Sequence, residues 1–187
     1  MALNYDFEWG LLLENPHKEW IIEGLAHTVG LSLTAWVIAL IIGILIGTIR
    51  MTQSPLLRFI GTAYVEFFRN IPLLVQLFIW FFVFPLMLPN DLMFAWNRLP
   101  HVPLITALLA LSLFTAARVA EHIRAGISSI PKGQFDAARS SGLTQVQMYR
   151  HVIIPYAFRV MIPTITSEFL TVFKNSALTL TIGVAEI

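Results

Sequence analysis

The first strong feature of the hydropathy pattern is an uninterrupted apolar run over residues 24–49. These 26 residues contain no Asp, Glu, Lys or Arg. As a helix they would extend roughly 39 Å, more than the ~30 Å of hydrocarbon in a bilayer. The pattern therefore predicts a membrane span. Small residues at every fourth position predict that one face of this span packs closely against another helix: Ala35, Ala39, Gly43 and Gly47.

A second helix is predicted to begin at Ser54 and Pro55, an N-cap residue followed by proline at the first helical position. The apolar part of this region covers residues 71–88 and contains prolines near both of its ends. Proline removes a backbone donor and bends a helix. The second span is therefore predicted to kink at Pro72.

Two further spans are predicted from weaker patterns. Residues 102–117 are apolar over only 16 positions, roughly 24 Å, so this span must draw Arg118 to the hydrocarbon edge. Residues 156–174 include two basic residues, a proline and a glutamate, and can span only if other helices shelter them. Broken, partly polar segments are typical of transporter interiors. The chain is thus predicted to be an all-α membrane protein with about four spans.

The basic residues are unevenly divided between the predicted loops. Nine of the twelve Lys and Arg residues lie in two intervals, residues 50–69 and residues 118–159. Cytoplasmic loops of membrane proteins carry an excess of Lys and Arg. The bias predicts an N-terminus outside the cell, an external interfacial segment over residues 1–23, and a cytoplasmic loop over residues 118–155.

Within that loop, residues 131–155 are predicted to form two short helices joined by a bend. Gly142 suits the positive φ that ends a helix. Thr144 followed by Gln147 is a capping-box pattern for a second helix, which is predicted to end before Pro155.

The side chains of this bend predict a surface for a partner protein. Ala137 and Ala138 would let a neighbour approach the backbone closely, while Phe135 and Leu143 would offer apolar contacts. An ordinary amphipathic surface loop would show the same residue types, so these alone leave both interpretations open.

Four elements of the bend keep a spacing that resembles the "EAA" signature of ABC-transporter permease subunits. Asp136-Ala137-Ala138 is followed after three residues by Gly142, and after nine more by Val152-Ile153-Ile154-Pro155. The resemblance implies a helical bundle like that of type I ABC importer permeases, with residues 24–187 as the permease domain. It also implies that the bend is a coupling helix docked in a cytoplasmic ATPase, with these coupling residues: Phe135, Asp136, Ala137, Ala138, Gly142, Leu143 and Pro155.

The resemblance extends over most of the chain. The stretches "VEFFRNIPLLVQLF", "ISSIPKGQFDAARSSGLT" and "FKNSALTLTIGVAEI" are similar to segments of polar amino-acid uptake permeases. This implies a multi-pass protein of the bacterial cytoplasmic (inner) membrane. The implied partners are cytoplasmic ATP-binding subunits, a second permease subunit, and an external substrate-binding protein. For the second permease subunit the resemblance favours a sister chain over an identical copy. Family members usually have five spans, so a fifth is expected after residue 187.

Composition excludes several other classes of protein. The chain is 57% hydrophobic and 12% charged, with a mean hydropathy of +0.74, which is typical of residence in a bilayer. The absence of cysteine excludes disulfides and thiolate chemistry, and a net charge of +1 gives no reason to expect nucleic acid. There is no glycine-rich phosphate loop and no metal-ligand spacing among the histidines. No cofactor or metal is therefore expected, and ATP is expected to bind the partner ATPase.

Arg118 is the first candidate for contact with a substrate, and Glu121 on the same helix is a second one. An arginine at membrane depth costs roughly 2.5–3.5 kcal/mol, and its planar fork matches a carboxylate. The competing interpretation is that Arg118, Glu121 and Arg124, each three positions from the next, neutralise one another at the membrane edge. Many permeases of this family have tyrosine at the position of Arg118, and the version with arginine resembles glutamate/aspartate import permeases.

Three residues of the fourth predicted span are weaker candidates. Glu168 would hold the ammonium group of an amino acid, and Lys174 or Asn175 its α-carboxylate. On an unbroken helix Glu168 and Lys174 lie about 240° apart, so ion pairs between packed helices are the competing interpretation. Elsewhere, Glu66 and Arg69 are predicted to form a structural salt bridge because they are three positions apart.

The sequence thus predicts a non-catalytic permease subunit of an ATP-driven importer of polar amino acids, with glutamate and aspartate favoured. One alternative is a permease of the same type for glutamine or histidine. Another is an ion-driven secondary transporter, which would need no cytoplasmic docking segment. An intramembrane enzyme is disfavoured, because candidate acid and base groups are scattered along the chain.

Overall fold

A computed structural model of the chain describes Gly10 and residues 14–184, and every regular element within these residues is helical. This confirms the predicted all-α class. The α-helices are α1 (His17–Ile49), α2 (Pro55–Asn70), α3 (Leu73–Phe78), α4 (Asn90–Asn97), α5 (Val102–Ser128), α6 (Lys132–Ser140), α7 (Gln145–Met148) and α8 (Ile154–Ser176). The segments Ile79–Val83 and Tyr149–Ile153 are π-helical, and Phe84–Met87 and Ala177–Ile182 are 3₁₀-helical.

Two helices, α1 and α5, are long and apolar enough to cross a membrane. The segments Pro55–Asn70 and Leu73–Met87 are together long and apolar enough to cross, but a bend of 101° separates them. They add a third span only if the two segments form one broken transmembrane helix. Helix α8 has 23 residues but is not among the helices that are apolar enough to cross a membrane. Length and composition therefore support two or three spans where four are predicted, and a crossing by α8 stays a prediction.

Helix α1 begins at His17, seven residues before the predicted start at position 24. Residues 17–23 are therefore the first turns of α1, and Glu19 in the first turn suits the positive end of the helix dipole. Residues 1–9 and 11–13 lie outside the described residues. The external position of the N-terminal segment stays a prediction.

Helix α5 is the centre of the bundle and packs against α1, α2, α3 and α8. It runs for 27 residues, about 40 Å, because it continues past Arg118 to Ser128. The predicted third span, residues 102–117, is thus the N-terminal part of a longer helix. Its buried small residues, among them Ala107, Ala110, Ala116, Ala117 and Ala120, let the neighbouring helices approach.

The small residues of α1 face α5, which confirms the predicted close packing. A Cβ placed on Gly43 would lie 2.6 Å from Cγ1 of Val119, and one on Gly47 would lie 3.1 Å from Cβ of Ile123. Ala35, further along the same stripe, is fully buried. The two longest helices are therefore held at a distance that only small side chains permit.

The predicted kink at Pro72 is confirmed as the 101° bend between α2 and α3. Ile71 is extended there (φ −101°, ψ 124°), as expected for a residue before proline. Nε2 of Gln76 donates to the carbonyl oxygens of Phe68 and Ile71, at 2.8 Å each. Those carbonyls lie where the helical hydrogen-bond ladder ends, so the Gln76 side chain satisfies the backbone at the bend.

The second helix of the predicted bend does not end before Pro155, and that prediction is wrong. Helix α7 continues through the π-helical segment Tyr149–Ile153 into α8, which has Pro155 in its first turn. Proline is tolerated in a first helical turn. Another π-helical segment, Ile79–Val83, similarly precedes Pro85, so at both sites a widened turn accommodates a residue that cannot donate a backbone hydrogen bond.

Candidate functional site

Arg118 and Glu168 form a two-pronged ion pair between α5 and α8. Nε of Arg118 donates to Oε2 of Glu168, and Nη2 donates to Oε1, both at 2.7 Å. The Glu168 side chain is 6% exposed and the Arg118 side chain 41% exposed. The guanidinium carbon also lies 5.8 Å from the ring centre of Phe114, within the range of a cation–π contact. The structure thus brings together two predicted site residues that are 50 positions apart.

His122 is a third member of this site that the sequence analysis missed. Its Nε2 lies 3.3 Å from Oε1 of Glu168. Arg118 and His122 are four positions apart on α5 and therefore lie on one face of the helix. The sequence shows that spacing, but it does not show that Glu168 of α8 lies beside both residues.

Glu121 does not pair with Arg118, so the predicted neutralisation between these two residues is wrong. Its carboxylate is instead 2.6 Å from Nη1 of Arg50 and 2.6 Å from Nη2 of Arg124. Nη1 of Arg69 lies 3.7 Å away. Because three guanidinium groups already surround this carboxylate, Glu121 is poorly placed to hold the ammonium group of a substrate.

The predicted salt bridge between Glu66 and Arg69 is also wrong. Arg69 approaches Glu121 of α5, whereas Glu66 accepts a hydrogen bond from Nδ2 of Asn70 at 3.1 Å. The i, i+3 spacing allows the local pair, but a carboxylate on a packed neighbouring helix attracts the arginine instead.

Lys174 and Asn175 are not brought to the Arg118–Glu168 pair. Helix α8 is unbroken from Ile154 to Ser176, so the six residues from Glu168 to Lys174 turn the two side chains to different faces. Lys174 is exposed and makes no ion pair within the described part of the chain. The ion-pair interpretation therefore holds for Glu168 and fails for Lys174, and Asn175 is half-buried.

The bend between α6 and α7 has the predicted backbone. Gly142 has a φ of +72°, a conformation that favours glycine. The side chain of Gln147 accepts from the backbone N–H of Thr144 at 2.9 Å, and the backbone N–H of Gln147 donates to Oγ1 of Thr144 at 3.4 Å. The capping box is therefore present, and it fixes the direction in which α7 leaves the bend.

The side chains of the bend are divided between the interior of the chain and its exposed surface. Ala138 is buried, and Phe135 and Leu143 are half-buried against an internal apolar cluster that includes Met148 and Ile153. Phe135 and Leu143 therefore anchor the bend to this chain, and contact of their exposed parts with a partner stays a prediction.

A different apolar residue, Val146, lies on the exposed face of the bend. Asp136, Ala137 and Gly142 are exposed, and Val146 is 76% exposed. Pro155 is exposed at the start of α8. Val146 was missed by the sequence analysis because its exposure depends on which face of a four-residue helix packs inward.

Comparison with known proteins places most of the chain in one family. Residues 39–186 match the family model of the binding-protein-dependent transport system inner membrane component. The chain is 41% identical over 193 residues to the glutamate/aspartate import permease protein GltJ of Escherichia coli (strain K12), covering 98% of this chain and 78% of GltJ. It is also 41% identical over 157 residues to the probable glutamine ABC transporter permease protein GlnM of Bacillus subtilis (strain 168), covering 84% of this chain and 68% of GlnM.

A solved structure has the same arrangement of helices. The crystal structure of an amino acid ABC transporter with histidines matches with a TM-score of 0.80 and 31% sequence identity. The match covers 97% of this chain and 79% of that chain. The helical bundle and the bend between α6 and α7 thus belong to a fold that an amino acid transporter uses.

Proposed function

This chain belongs to the family of binding-protein-dependent transport system inner membrane components, and we propose that it serves an ATP-driven importer of glutamate and aspartate. It is an amino-acid permease subunit of the ABC type. Beyond the type of subunit, we propose that the transporter prefers acidic amino acids. GltJ, at 41% identity, bears a name that agrees with it.

The observation that carries the acidic preference is the unused edge of the Arg118 guanidinium. Only Nε and Nη2 donate to Glu168, and the side chain is 41% exposed. A guanidinium can bind carboxylates on two edges at once because its donors point outward in one plane. Glu168 and Phe114 hold this plane still, so Arg118 presents the edge with Nη1 to a substrate carboxylate.

Uptake competition in reconstituted vesicles tests this proposal. The complete transporter takes up labelled glutamate while unlabelled aspartate, glutamine or histidine competes, with the same binding protein in every sample. The variant Arg118→Tyr, Glu168→Gln removes both charges together, so no buried carboxylate is left unpaired. We expect the preference for acidic over neutral competitors to fall about tenfold or more, as for the loss of a charge-assisted hydrogen bond.

Arg159→Gln is the matched control, because Arg159 is an exposed arginine of α8 with no ion pair among the described residues. It should leave the preference unchanged. If the Arg118→Tyr, Glu168→Gln transporter keeps its acidic preference, Arg118 is a packing residue and the substrate assignment fails.

A neutral amino acid such as glutamine is the second candidate. The specific observation in its favour is that Glu168 already compensates the charge of Arg118 at 2.7 Å, so this pair offers no net positive charge. The similarity to GlnM points the same way. Glutamine competing better than aspartate against the unaltered transporter would select this candidate.

The proposed mechanism is alternating access driven by partner subunits. Cytoplasmic ATP-binding subunits contact the outward face of the α6–α7 bend, and their closure on ATP moves the bend around Gly142. A sister permease subunit completes the path across the membrane, and an external binding protein delivers the substrate on the side of the N-terminus. The exposed face of Asp136, Ala137 and Val146 supports the first of these contacts.

A further inference from the structure

A second ionic cluster carries more positive than negative charge. We call it the arginine cluster: Arg50 follows the end of α1, Arg69 lies in the last turn of α2, and Arg124 lies on α5 beside Glu121. The three guanidinium groups all lie within 4 Å of the Glu121 carboxylate. Three positive side chains and one negative one leave a net charge of +2. This excess attracts an anion.

No other carboxylate in the described part of the chain balances this excess. Glu66 is the one acidic residue of α2, and it bonds to Asn70 rather than to any of the arginines. Arg50 is 7% exposed, and its Nε is buried with no hydrogen-bond partner among the described residues. The cluster thus contains more N–H donors than one carboxylate can satisfy.

Two of the arginines are open to a ligand. The side chain of Arg69 is 46% exposed and that of Arg124 is 42% exposed. Arg50 packs beneath them and close against Gly61. A Cβ placed on Gly61 would lie only 2.7 Å from Cγ of Arg50. Arg50 and Glu121 therefore form a rigid base, and Arg69 and Arg124 present the donors.

The cluster lies where a headgroup layer is expected. Helix α1 has 33 residues, about 50 Å, so its end beside Arg50 extends beyond the ~30 Å hydrocarbon core. Helix α2 leads away from it and exposes large apolar side chains, which is typical of a helix in the membrane interface. These side chains would contact acyl chains: Leu56, Phe59, Ile60 and Phe67.

We propose that Arg69 and Arg124, supported by Arg50 and Glu121, bind the phosphate of an anionic phospholipid. Arginine binds phosphate oxygens through paired hydrogen bonds, and basic pockets between membrane helices bind lipid headgroups. The apolar face of α2 holds the acyl chains, which is the reason to favour a lipid over free phosphate. This site is separate from the Arg118–Glu168 pair and does not depend on the transported substrate.

Native mass spectrometry of the complete transporter tests the site. The complex is released from nanodiscs made of equal parts phosphatidylglycerol and phosphatidylcholine, and the bound lipids are compared. We expect the unaltered complex to retain phosphatidylglycerol preferentially. The variant Arg69→Gln, Arg124→Gln should lose that retention about tenfold or more, since each arginine supplies a charge-assisted hydrogen bond.

The matched control is Arg58→Gln, an exposed arginine of the same helix with no ion pair among the described residues. It should retain phosphatidylglycerol like the unaltered complex; an equal loss would mean general electrostatic attraction and overturn the site. If the double variant does not assemble, Arg69→Gln alone should still reduce retention, because Arg69 makes only the 3.7 Å contact.

Soluble anions separate a lipid site from a simple anion site. Inorganic phosphate or glutamate is added to the unaltered complex before release. We expect millimolar amounts of either anion to leave phosphatidylglycerol in place. Displacement by either one would overturn the assignment to a lipid.

Discussion

Gly43 of α1 lies directly against Val119 of α5, and the space between them does not admit a methyl group. A Cβ on Gly43 would meet Cγ1 of Val119 at 2.6 Å and the carbonyl oxygen of Ala116 at 3.0 Å. Backbone and a β-branched side chain have little freedom to move away. The contact therefore sets the spacing of the two longest helices in the described part of the chain.

Gly43→Ala should accordingly lower the stability of the permease. Overpacking of a well-filled core typically costs about 1–3 kcal/mol. The measurement is the thermal unfolding midpoint of the purified complex in detergent.

Gly30→Ala is the control for this substitution, because Gly30 lies in the same helix and a Cβ there would have no atom within 4 Å. It should leave the midpoint unchanged or raise it slightly, since alanine favours helix over glycine. Equal midpoints for the two variants would show that α1 and α5 are not held by this contact.

Gln76→Leu should destabilise the bend between α2 and α3. The substitution keeps a similar volume but removes both hydrogen bonds to the carbonyls of Phe68 and Ile71. Buried carbonyls without partners cost about 1–3 kcal/mol each. Limited proteolysis and hydrogen exchange of residues 68–76 should both become faster.

Gln53→Leu serves as the comparison for Gln76→Leu, because Gln53 is exposed in the loop before α2. Its exchange pattern should match that of the unaltered protein. Unchanged protection of the bend in the Gln76→Leu protein would mean that Pro72 alone maintains the 101° angle.

Gly142→Val should weaken coupling to the ATP-binding subunits. The φ of +72° at Gly142 disfavours side chains by about 1–2 kcal/mol, and β-branched ones most of all. The substitution therefore reorients α7 and its exposed Val146. We expect less ATP-binding subunit to co-purify with the variant, and less uptake per ATP hydrolysed.

Gly133→Val is the matched control for the bend, since Gly133 lies in α6 without positive φ and with open space around it. It should co-purify normally. If the Gly142→Val complex keeps full coupling between ATP hydrolysis and uptake, the bend is not the segment that transmits the motion of the ATP-binding subunits.

Local signals in the sequence predicted much of this structure. The start of α2 at Pro55, the bend at Pro72, the glycine at Gly142 and the capping box at Thr144 were all predicted at their observed positions. Each depends on residues within about four positions of one another, because helix caps and turns are local structures. The end of α7 was mispredicted, since a proline ends one helix and begins another with equal ease.

The ionic contacts were predicted poorly for a related reason. Spacing along a helix suggested Arg118 with Glu121, Glu121 with Arg124, and Glu66 with Arg69, and of these only Glu121 with Arg124 forms. A short-range pair on a helix surface is worth only a few tenths of a kcal/mol, so whether it forms depends on the charged groups that the packed neighbouring helices place beside it. The exposure of Val146 and the inward packing of Phe135 were equally inaccessible, because both depend on how α6 and α7 sit against the internal cluster.

The sequence by itself determined that this protein is helical, that it has membrane spans, and that one span has a face of small residues, because periodicity and hydropathy act along the chain. Only the tertiary structure decided which charges meet. Glu168 reaches Arg118 across 50 positions and Glu121 reaches Arg50 across 71. The physical reason is that a carboxylate sheltered between helices pairs with whichever cation the packing places beside it, and packing joins residues that are distant in sequence.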